Sequence, residues 1–178
     1  MKFRPELCLP LLWLVLGLSG CPAATPLELA PRVDLQRFMG SWYVIACIPT
    51  RIEREAYEAV ESYRLSSDGR VLTTFTFRAG SFDGPVQRYT PVGFIVPGSH
   101  GAVWGMRFVW PFKADYRVLY VDADYTQTII GRKKRDYVWI MARTSQLSPS
   151  DYARLVSLVG KAGYDVTRLR RVPQRTGY

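Results

Sequence analysis

The chain has 178 residues, of which 48% are hydrophobic and 22% charged, a composition that is typical of one globular domain and excludes an intrinsically disordered chain. Lys and Arg number 24 against 15 Asp and Glu, and the resulting charge of +9 favours anionic partners such as phospholipid headgroups, lipopolysaccharide or nucleic acid. Three cysteines, two of them within the first 21 residues, exclude the disulfide framework of a small secreted scaffold.

The N-terminal segment has the pattern of a secretory signal peptide. Lys2 and Arg4 provide positive charge, and residues 9–18 form an apolar run. This run is much shorter than the roughly 20 residues that a membrane-spanning helix needs. We therefore expect residues 1–20 to be a cleaved signal peptide. Since the chain then leaves the cytoplasm, nucleic acid is excluded as a partner.

The end of this segment, residues 18–21 (LSGC), resembles the lipobox of bacterial lipoproteins, in which the cysteine is acylated and becomes the first residue of the mature chain. The resemblance implies that Cys21 is the lipidation site. Pro22 follows it in place of the aspartate that signals inner-membrane retention, which implies an outer-membrane lipid anchor on the periplasmic face. Residues 21–32, rich in Pro and Ala, are the expected lipidated tether, and residues 33–178 the expected folded domain.

Short runs of β-branched and aromatic residues fill most of the remaining chain, after a predicted helical turn at 34–39. The eight runs are 41–48, 57–65, 71–78, 86–96, 102–110, 116–122, 126–132 and 136–143. Short joints with turn residues, such as Asp68-Gly69 and the segment from Pro111 to Asp115, separate them. Joints this short predict that consecutive strands are antiparallel neighbours in an up-and-down meander.

One helix is predicted after the last strand. Ser148 is its expected N-cap, Pro149 its first residue, and Gly163 ends it. Its apolar stripe consists of Tyr152, Leu155, Val156 and Val159. A stripe at this spacing indicates that one face of the helix packs against an apolar surface.

These elements predict an all-β protein, an eight-stranded antiparallel up-and-down barrel with a C-terminal α-helix packed on its outside. A β-sandwich is the alternative on pattern alone. A barrel that spans the outer membrane would need an outward apolar band on every strand. Charged residues at alternate strand positions argue against such a band: Glu58, Arg64, Arg88, Arg107, Arg117 and Arg132.

Three motifs in sequence order resemble the lipocalin family. They are the Gly40-x-Trp42 motif on the first strand, Asp124-Tyr125 between two later strands, and Arg143 at the end of the last strand. The resemblance covers residues 34–172 and, with the lipobox, is greatest to the bacterial outer-membrane lipoprotein branch. It implies that Gly40, Trp42 and Arg143 close one end of the barrel, with Trp42 packed under the arginine.

The family resemblance also implies an open cup above this closed end. Its expected ligand-binding lining is Tyr63, Phe75, Phe77, Trp104, Met106, Phe108, Tyr120, Tyr137 and Trp139. Strand alternation counted from Trp42 predicts that Val44 and Ala46 face inward and that Cys47 faces outward. On the other strands the resemblance implies that Val118, Ile129 and Gly131 face inward. Glu61 is also predicted to face inward, where it either meets a tyrosine hydroxyl or water near the mouth, or the predicted phase of its strand is wrong by one residue.

Catalytic and metal-binding chemistry finds little support in the sequence. His100 is the single histidine, and it lies in a Gly-Ser-His-Gly turn. No Cys/His pair, zinc site or phosphate-binding glycine loop is predicted. We expect neither an enzyme nor a cofactor. A haem or pigment carrier is an alternative for which His100 is the only candidate ligand.

The resemblance implies a function in binding, storing or transporting a lipid, either a fatty acid or a lysophospholipid, at the bacterial outer membrane in support of membrane maintenance. The alternative is a structural envelope lipoprotein whose filled barrel is a protein-interaction module. A homodimer remains open. Lys133, Lys134 and Arg135 form a basic loop that is expected to be solvated or to meet anionic headgroups.

Overall fold

The computed structural model describes residues 26–175, so the predicted signal peptide and Cys21 lie outside the described residues. The strands are β1 (Gly40–Ile48), β2 (Ala56–Leu65), β3 (Arg70–Ala79), β4 (Val86–Tyr89), β5 (Val92–Ile95), β6 (Val103–Val109), β7 (Phe112–Val121), β8 (Gln127–Gly131), β9 (Val138–Ala142) and β10 (Arg170–Arg171). The helices are α1 (Leu35–Phe38) and α2 (Pro149–Lys161), with single 3₁₀ turns at Arg51–Glu53 and Val166–Arg168.

The sheet closes on itself. Neighbouring strands are antiparallel in the order β1-β2-β3-β5-β6-β7-β8-β9, and β9 pairs back to β1 through contacts such as Tyr43 with Ala142. β4 and β5 both pair with β3 and together occupy one position of the barrel. The predicted eight-stranded barrel is confirmed, and closure of the sheet eliminates the sandwich alternative.

The two ends of the barrel differ. One end, the closed end, carries α1 and the joints 66–69, 96–102 and 122–126. The other end, the open end, carries the joints 49–55, 80–85, 110–111 and 132–137. The 49–55 joint, left unassigned by the sequence pattern, contains the 3₁₀ turn Arg51–Glu53.

Two hydrophobic clusters stabilise the fold. The inner cluster fills the barrel and includes Trp42, Phe75 and Trp104. The outer cluster lies between the barrel wall and α2, and includes Ile140 and Leu155. α2 begins as predicted, because the Ser148 hydroxyl accepts a 3.0 Å hydrogen bond from the Asp151 amide. Its apolar stripe covers the outer wall, which confirms the predicted position of the helix.

Two strand boundaries differ from the sequence prediction. The predicted strand 86–96 is interrupted at residues 90–91, where Pro91 has no amide hydrogen to donate. The predicted strand 116–122 begins already at Phe112, because the turn of its hairpin consists of only Trp110 and Pro111, joined by a cis peptide bond. Most of the joint predicted from Pro111 to Asp115 is therefore strand.

A β-bulge corrects the predicted facing of residues on β1. The pairing of β1 with β9 shifts between Val44 and Ala46, so that Ile45 is an extra residue on one side of the ladder. Beyond the bulge the alternation reverses. Ala46 belongs to the outer cluster and Cys47 to the inner one, so both predicted directions were wrong.

A second bulge, on β7, corrects one further prediction, and the phase of β8 corrects two more. The pairing of β7 with β8 shifts between Val118 and Tyr120, and Tyr120 consequently lies in the outer cluster rather than in the barrel. Its hydroxyl accepts a 3.0 Å hydrogen bond from Arg154 of α2. On β8 the predicted phase was wrong by one residue: Ile129 pairs with Ile140 on the outside, and Gly131 also faces outward, beneath the Tyr164 hydroxyl.

The C-terminal tail is part of the barrel wall. β10 pairs with β1 where β1 and β2 have separated, and the Glu58 amide donates to the Pro173 carbonyl at 2.8 Å. The Gln174 side-chain amide donates to Val44 and Ala59 carbonyls on either side of the gap, at 2.9 and 3.1 Å. These bonds satisfy backbone groups that the separated strands leave unpaired.

The segment before α1 also packs on the barrel. Leu27 contacts the outer cluster, and Ala30 is buried in the inner one, with its amide donating to the Val118 carbonyl at 3.0 Å. The packed chain thus begins before Val33, the residue at which the sequence predicts it. Within residues 26–175, no helix has both the length and the apolar character needed to cross a bilayer.

Candidate ligand site at the open end of the barrel

The floor of the barrel is built by Trp42 and Arg143. The Arg143 guanidinium lies 3.8 Å from the centre of the fully buried Trp42 ring, and the Trp42 indole donates to the Phe38 carbonyl at 2.9 Å. Gly40 leaves room for the arginine, because the Cβ of any other residue at this position would lie only 3.2 Å from the Arg143 Nη1. Arg143 also donates at 2.8–3.2 Å to the backbone carbonyls of Arg37, Phe38, Met39, Ser41 and Tyr125.

The turn that contains Asp124-Tyr125 supports this floor from the side. The Tyr125 hydroxyl accepts a 2.7 Å hydrogen bond from the Asp34 amide ahead of α1. The Arg37 guanidinium lies 4.3 Å from the Tyr125 ring centre. The three motifs that are distant in sequence therefore meet at the closed end.

A small cavity lies inside the open end. Its volume is about 100 Å³, well below the roughly 300–1,000 Å³ of most ligand pockets. Its lining consists of Thr50, Ile52, Glu53, Glu61, Phe75, Met106, Phe108, Ala114, Asp115, Tyr116, Arg132 and Trp139. The wall is thus mixed, with aliphatic and aromatic groups interrupted by three acidic residues and one arginine.

The residues predicted to line the cup fall into four groups. Phe75, Met106, Phe108 and Trp139 line the cavity. Tyr63, Phe77 and Trp104 face inward and are buried without lining the cavity: Tyr63 and Trp104 lie below it, and Phe77 lies against Phe75 toward the open end. Tyr137 lies beside the mouth with its ring 6.4 Å from Trp139, and Tyr120 lies outside the barrel.

Ring packing explains why so little space remains. Trp104 stacks on Tyr116 at 4.9 Å and meets Tyr63 edge-on at 5.6 Å. Phe77 contacts Phe75 at 5.2 Å between ring centres. The contacts among Trp104, Tyr116 and Tyr63 fill the lower half of the barrel as a packed core, and the Phe77–Phe75 contact narrows its upper half.

Glu61 faces inward, where its carboxyl group meets a tyrosine hydroxyl. The predicted phase of β2 is therefore correct, and the alternative of a phase error by one residue is wrong. The Tyr63 hydroxyl donates to the Glu61 carboxyl and lies 2.6 Å from the Tyr116 hydroxyl. Since the Tyr63 proton is directed at Glu61, Tyr116 is the donor to Tyr63. Burial, and to a lesser degree the charge of Glu61, raises the pKa of Tyr116.

Burial, followed by the proximity of Glu53, raises the pKa of Glu61 from 4.5 to about 8. The folded protein therefore keeps a proton on Glu61 that the unfolded chain releases. We expect the free energy of unfolding to fall as pH rises between these two values, by up to about 1.4 kcal/mol per pH unit. Urea unfolding of the Glu61→Gln variant, measured at several pH values between 4.5 and about 8, should show that its free energy of unfolding no longer falls in this way.

Glu55→Gln is the matched control, because Glu55 is an exposed glutamate of the same open end. It should retain the wild-type pH dependence. An equal slope in wild type and Glu61→Gln would contradict the assignment.

Arg132 is the cation of the site, and the sequence prediction missed it. With Gly131 facing outward, Arg132 faces the cavity, where its Nη1 lies 3.4 Å from the Asp136 carboxylate. Among residues 26–175, Thr73 Oγ1 and Arg132 Nε are the side-chain polar atoms that are buried without a hydrogen-bond partner. An unpartnered guanidinium N–H beside a cavity is a free donor for an anionic group.

Nucleophilic and metal chemistry remain unsupported. Cys47 faces inward, but burial, with a smaller contribution from the Glu53 carboxylate, raises its pKa to about 12, so the thiol stays protonated. His100 is exposed in the 96–102 joint of the closed end, away from the cavity. No group of three or more His, Cys, Asp or Glu side chains in the described part of the chain could hold a metal ion.

A larger groove lies outside the barrel, between the outer wall, the end of α2 and the segment ahead of α1. Its volume is about 710 Å³, and its lining includes Pro26, Leu119, Arg135 and Leu158. Because it is separated from the inner cluster by the strands, it is not part of the ligand site inside the barrel.

Comparison with known proteins identifies the family. Residues 33–174 match the family model described as a lipocalin-like domain. Temperature-induced lipocalin-1 of Arabidopsis thaliana is 30% identical over 161 residues, covering 83% of each chain. The outer membrane lipoprotein Blc of Escherichia coli (strain K12) is 26% identical over 158 residues, covering 87% of this chain and 89% of that protein. The structure of insecticyanin from the tobacco hornworm Manduca sexta matches with a TM-score of 0.64 at 16% identity over 85% of each chain. From the fold, the closed-end motif and the match over most of its length, the chain belongs to the lipocalin-like family.

Proposed function

We propose that this protein binds a single-chain amphiphilic lipid, a fatty acid or a lysophospholipid, at the open end of the barrel. The observation that carries the proposal is the buried, unpartnered Nε of Arg132 beside an apolar-walled cavity. The hydrocarbon chain would contact Phe75, Met106, Phe108 and Trp139, where each buried methylene contributes about 0.8 kcal/mol. The carboxylate or phosphate would meet Arg132.

A whole acyl chain requires more space than the present cavity. Met106 has an unbranched side chain, and Phe108 is 52% exposed, so both can rotate away at modest cost. Trp104 is held by ring contacts deeper in the barrel, and Phe77 is held by its contact with Phe75. The expected path of the chain is therefore along the upper wall.

The small volume of the cavity also favours the second candidate, a lipocalin whose filled barrel is an interaction module. In that case no lipid would enter the barrel at one-to-one stoichiometry. Lipid titration of the folded protein separates the two functions.

Replacing Arg132 tests the headgroup contact. A charge-assisted hydrogen bond contributes about 1.5–3 kcal/mol, so Arg132→Met should weaken the binding of palmitate at least tenfold. Binding of hexadecanol, which has the same chain and no charge, should change little. The affinities for palmitate and for hexadecanol are measured by tryptophan fluorescence titration on the unacylated chain that begins at Pro22 and lacks Cys21.

Arg64→Met provides the control, since Arg64 is exposed on the outside of β2. It should bind palmitate like wild type. Unchanged palmitate affinity in Arg132→Met would contradict the assigned headgroup contact.

We further propose that residues 1–20 are a cleaved signal peptide, residues 21–32 a lipidated tether and Cys21 the acylated residue of an outer-membrane lipoprotein on the periplasmic face. The LSGC sequence supports this, as do relatives named outer membrane lipoprotein Blc from Escherichia coli, Citrobacter freundii and Vibrio cholerae. Two or more acyl chains hold a protein stably on a membrane.

Cys21→Ser tests the anchor. We expect the variant to be found in the soluble periplasmic fraction, whereas the wild-type protein fractionates with the outer membrane. Continued outer-membrane fractionation of a signal-peptide-processed Cys21→Ser variant would contradict acylation at this residue.

The proposed binding of lipid requires no chemical reaction. The protonated Cys47 and the position of His100 at the closed end supply no nucleophile or metal ligand at the cavity. We therefore propose storage or transfer of lipid within the envelope, in support of membrane maintenance, rather than catalysis.

A further inference from the structure

The turn of the β6–β7 hairpin exposes a continuous apolar surface. Residues 108–113 are all exposed, with exposed fractions of 69% for Val109, 77% for Trp110 and 76% for Phe112. We call Val109, Trp110 and Phe112 the hairpin tip. Large apolar side chains that are contiguous and this exposed mark a surface that meets another apolar phase.

The hairpin tip lies at the mouth of the barrel. Phe108, directly before it, is half-exposed and also lines the cavity. Val109 pairs with Phe112 across the turn, so these two side chains flank the two-residue connection. Whatever covers the hairpin tip is therefore adjacent to the entrance of the cavity.

The surroundings of the hairpin tip are basic. Lys133 and Lys134 are exposed on the next joint of the open end, whereas the ammonium of Lys113, which follows the tip, lies 4.1 Å from the centre of the Phe94 ring on the outer wall. That joint is attached to the same hairpin, because the Lys133 amide donates to the Asp115 carboxylate at 2.6 Å. The carboxylates nearby are engaged: Asp115 pairs with Arg117 at 2.9 Å, and Asp136 with Arg132 at 3.4 Å.

We propose that the hairpin tip docks on an anionic lipid bilayer, with Trp110 and its neighbours in the interfacial layer and Lys133 and Lys134 against phosphate groups. Tryptophan favours the membrane interface, and lysines near the surface of an anionic leaflet add attraction. A second copy of the chain fits this surface less well, since two hairpin tips brought together would also juxtapose their lysines.

This docking would turn the mouth of the barrel toward the membrane. A lipid could then pass between bilayer and cavity without crossing water, a consequence that rests on the proposed function. The docking itself rests only on the hairpin tip and its lysines. It adds a second, reversible membrane contact to the proposed acyl anchor.

Vesicle binding by the unacylated mature chain from Pro22 tests the proposal. This chain contains residues 26–175, and hence both hydrophobic clusters, so it retains the complete packed domain. We expect it to co-sediment with vesicles of equal parts phosphatidylcholine and phosphatidylglycerol. Trp110→Ser combined with Phe112→Ser should lower the partition coefficient at least about tenfold, because two large side chains no longer enter the interface.

The matched control is Val96→Ser combined with Val166→Ser. These valines are also exposed, at 43% and 38%, but lie away from the hairpin tip. This variant should bind vesicles like wild type. Lys133→Gln combined with Lys134→Gln should weaken binding to the anionic vesicles by about fivefold per lysine, with little effect on vesicles of phosphatidylcholine alone.

Tryptophan fluorescence gives an independent readout. Trp42 and Trp104 are fully buried and Trp139 lines the cavity, so the blue shift of Trp110 on adding vesicles is identified by its loss in Trp110→Phe, which retains the other three tryptophans. Failure of the wild-type chain to bind anionic vesicles, or equal binding by the serine variant, would overturn the proposal. A wild-type dimer that the serine variant converts to monomer, without vesicle binding, would also overturn it and assign the surface to self-association.

The same variants separate this proposal from the proposed function. The folded serine variant should still bind palmitate one-to-one while losing vesicle binding. Vesicle binding by a wild-type chain that takes up no palmitate would support the docking and contradict lipid binding in the cavity.

Discussion

Replacing Arg143 by alanine is expected to lower the free energy of unfolding by at least about 3 kcal/mol. The guanidinium covers the ring of Trp42 and donates to the backbone carbonyls of Arg37, Phe38, Met39, Ser41 and Tyr125. Its removal leaves these carbonyls without their charged donor and opens the floor of the barrel. Urea unfolding followed by tryptophan fluorescence measures the change.

Two further variants make this prediction specific. Arg143→Lys retains the charge but has a single ammonium group, which cannot reproduce the planar fork of donors, so most of the loss should remain. Arg154→Ala removes an exposed arginine that pairs with Asp151, and it should cost less than about 1 kcal/mol. An Arg143→Ala variant as stable as Arg154→Ala would contradict the role assigned to the closed end.

Filling the cavity is expected to abolish lipid binding. Ala114 lies on β7 opposite Met106 and lines the cavity, so the indole of Ala114→Trp would occupy the space at its mouth. We expect at least a hundredfold loss of palmitate affinity, since the chain can no longer contact the inner wall. Isothermal titration calorimetry on the mature chain measures this, with thermal unfolding as the check on folding.

Ala153→Trp is the matched control for this variant. It introduces the same side chain on the exposed face of α2, outside the barrel. Its palmitate affinity should equal that of wild type. If Ala114→Trp is folded and binds palmitate normally, the lipid does not enter through the open-end cavity.

Much of the fold could be predicted because it depends on local signals. Alternating apolar runs, turn residues and the Ser148 cap each specify an element without reference to distant parts of the chain. The closed end was equally accessible, because Trp42 and Arg143 lie on the first and last strands and closure of the barrel brings them together.

The facing of several residues was not predictable, because alternation holds only between bulges. One extra residue at Ile45 exchanges the directions of Ala46 and Cys47, and a shift before Tyr120 moves it outside. A shift by one residue moves every later side chain to the other face. Nothing in local composition marks these positions. Arg132 was missed for a different reason: β8 is regular, but its phase was taken from the family resemblance and was wrong by one residue.

Long-range pairing explains the remaining differences. The insertion of the C-terminal tail between β1 and β2 depends on bonds such as that from Gln174 to Val44, between residues that are distant in sequence. The filling of the lower barrel by Trp104, Tyr116 and Tyr63 is likewise a property of assembled rings rather than of any one strand. The sequence predicted an aromatic interior, but the remaining volume depends on how those rings pack.

Native mass spectrometry of the mature chain, as purified and after titration with palmitate or lysophospholipid, tests the central claim most directly. The account predicts a one-to-one adduct that Ala114→Trp does not form and that Arg132→Met forms more weakly. A folded wild-type barrel that forms no adduct with either lipid would contradict it, and would establish the interior as a filled core with the interaction-module function in place of lipid binding.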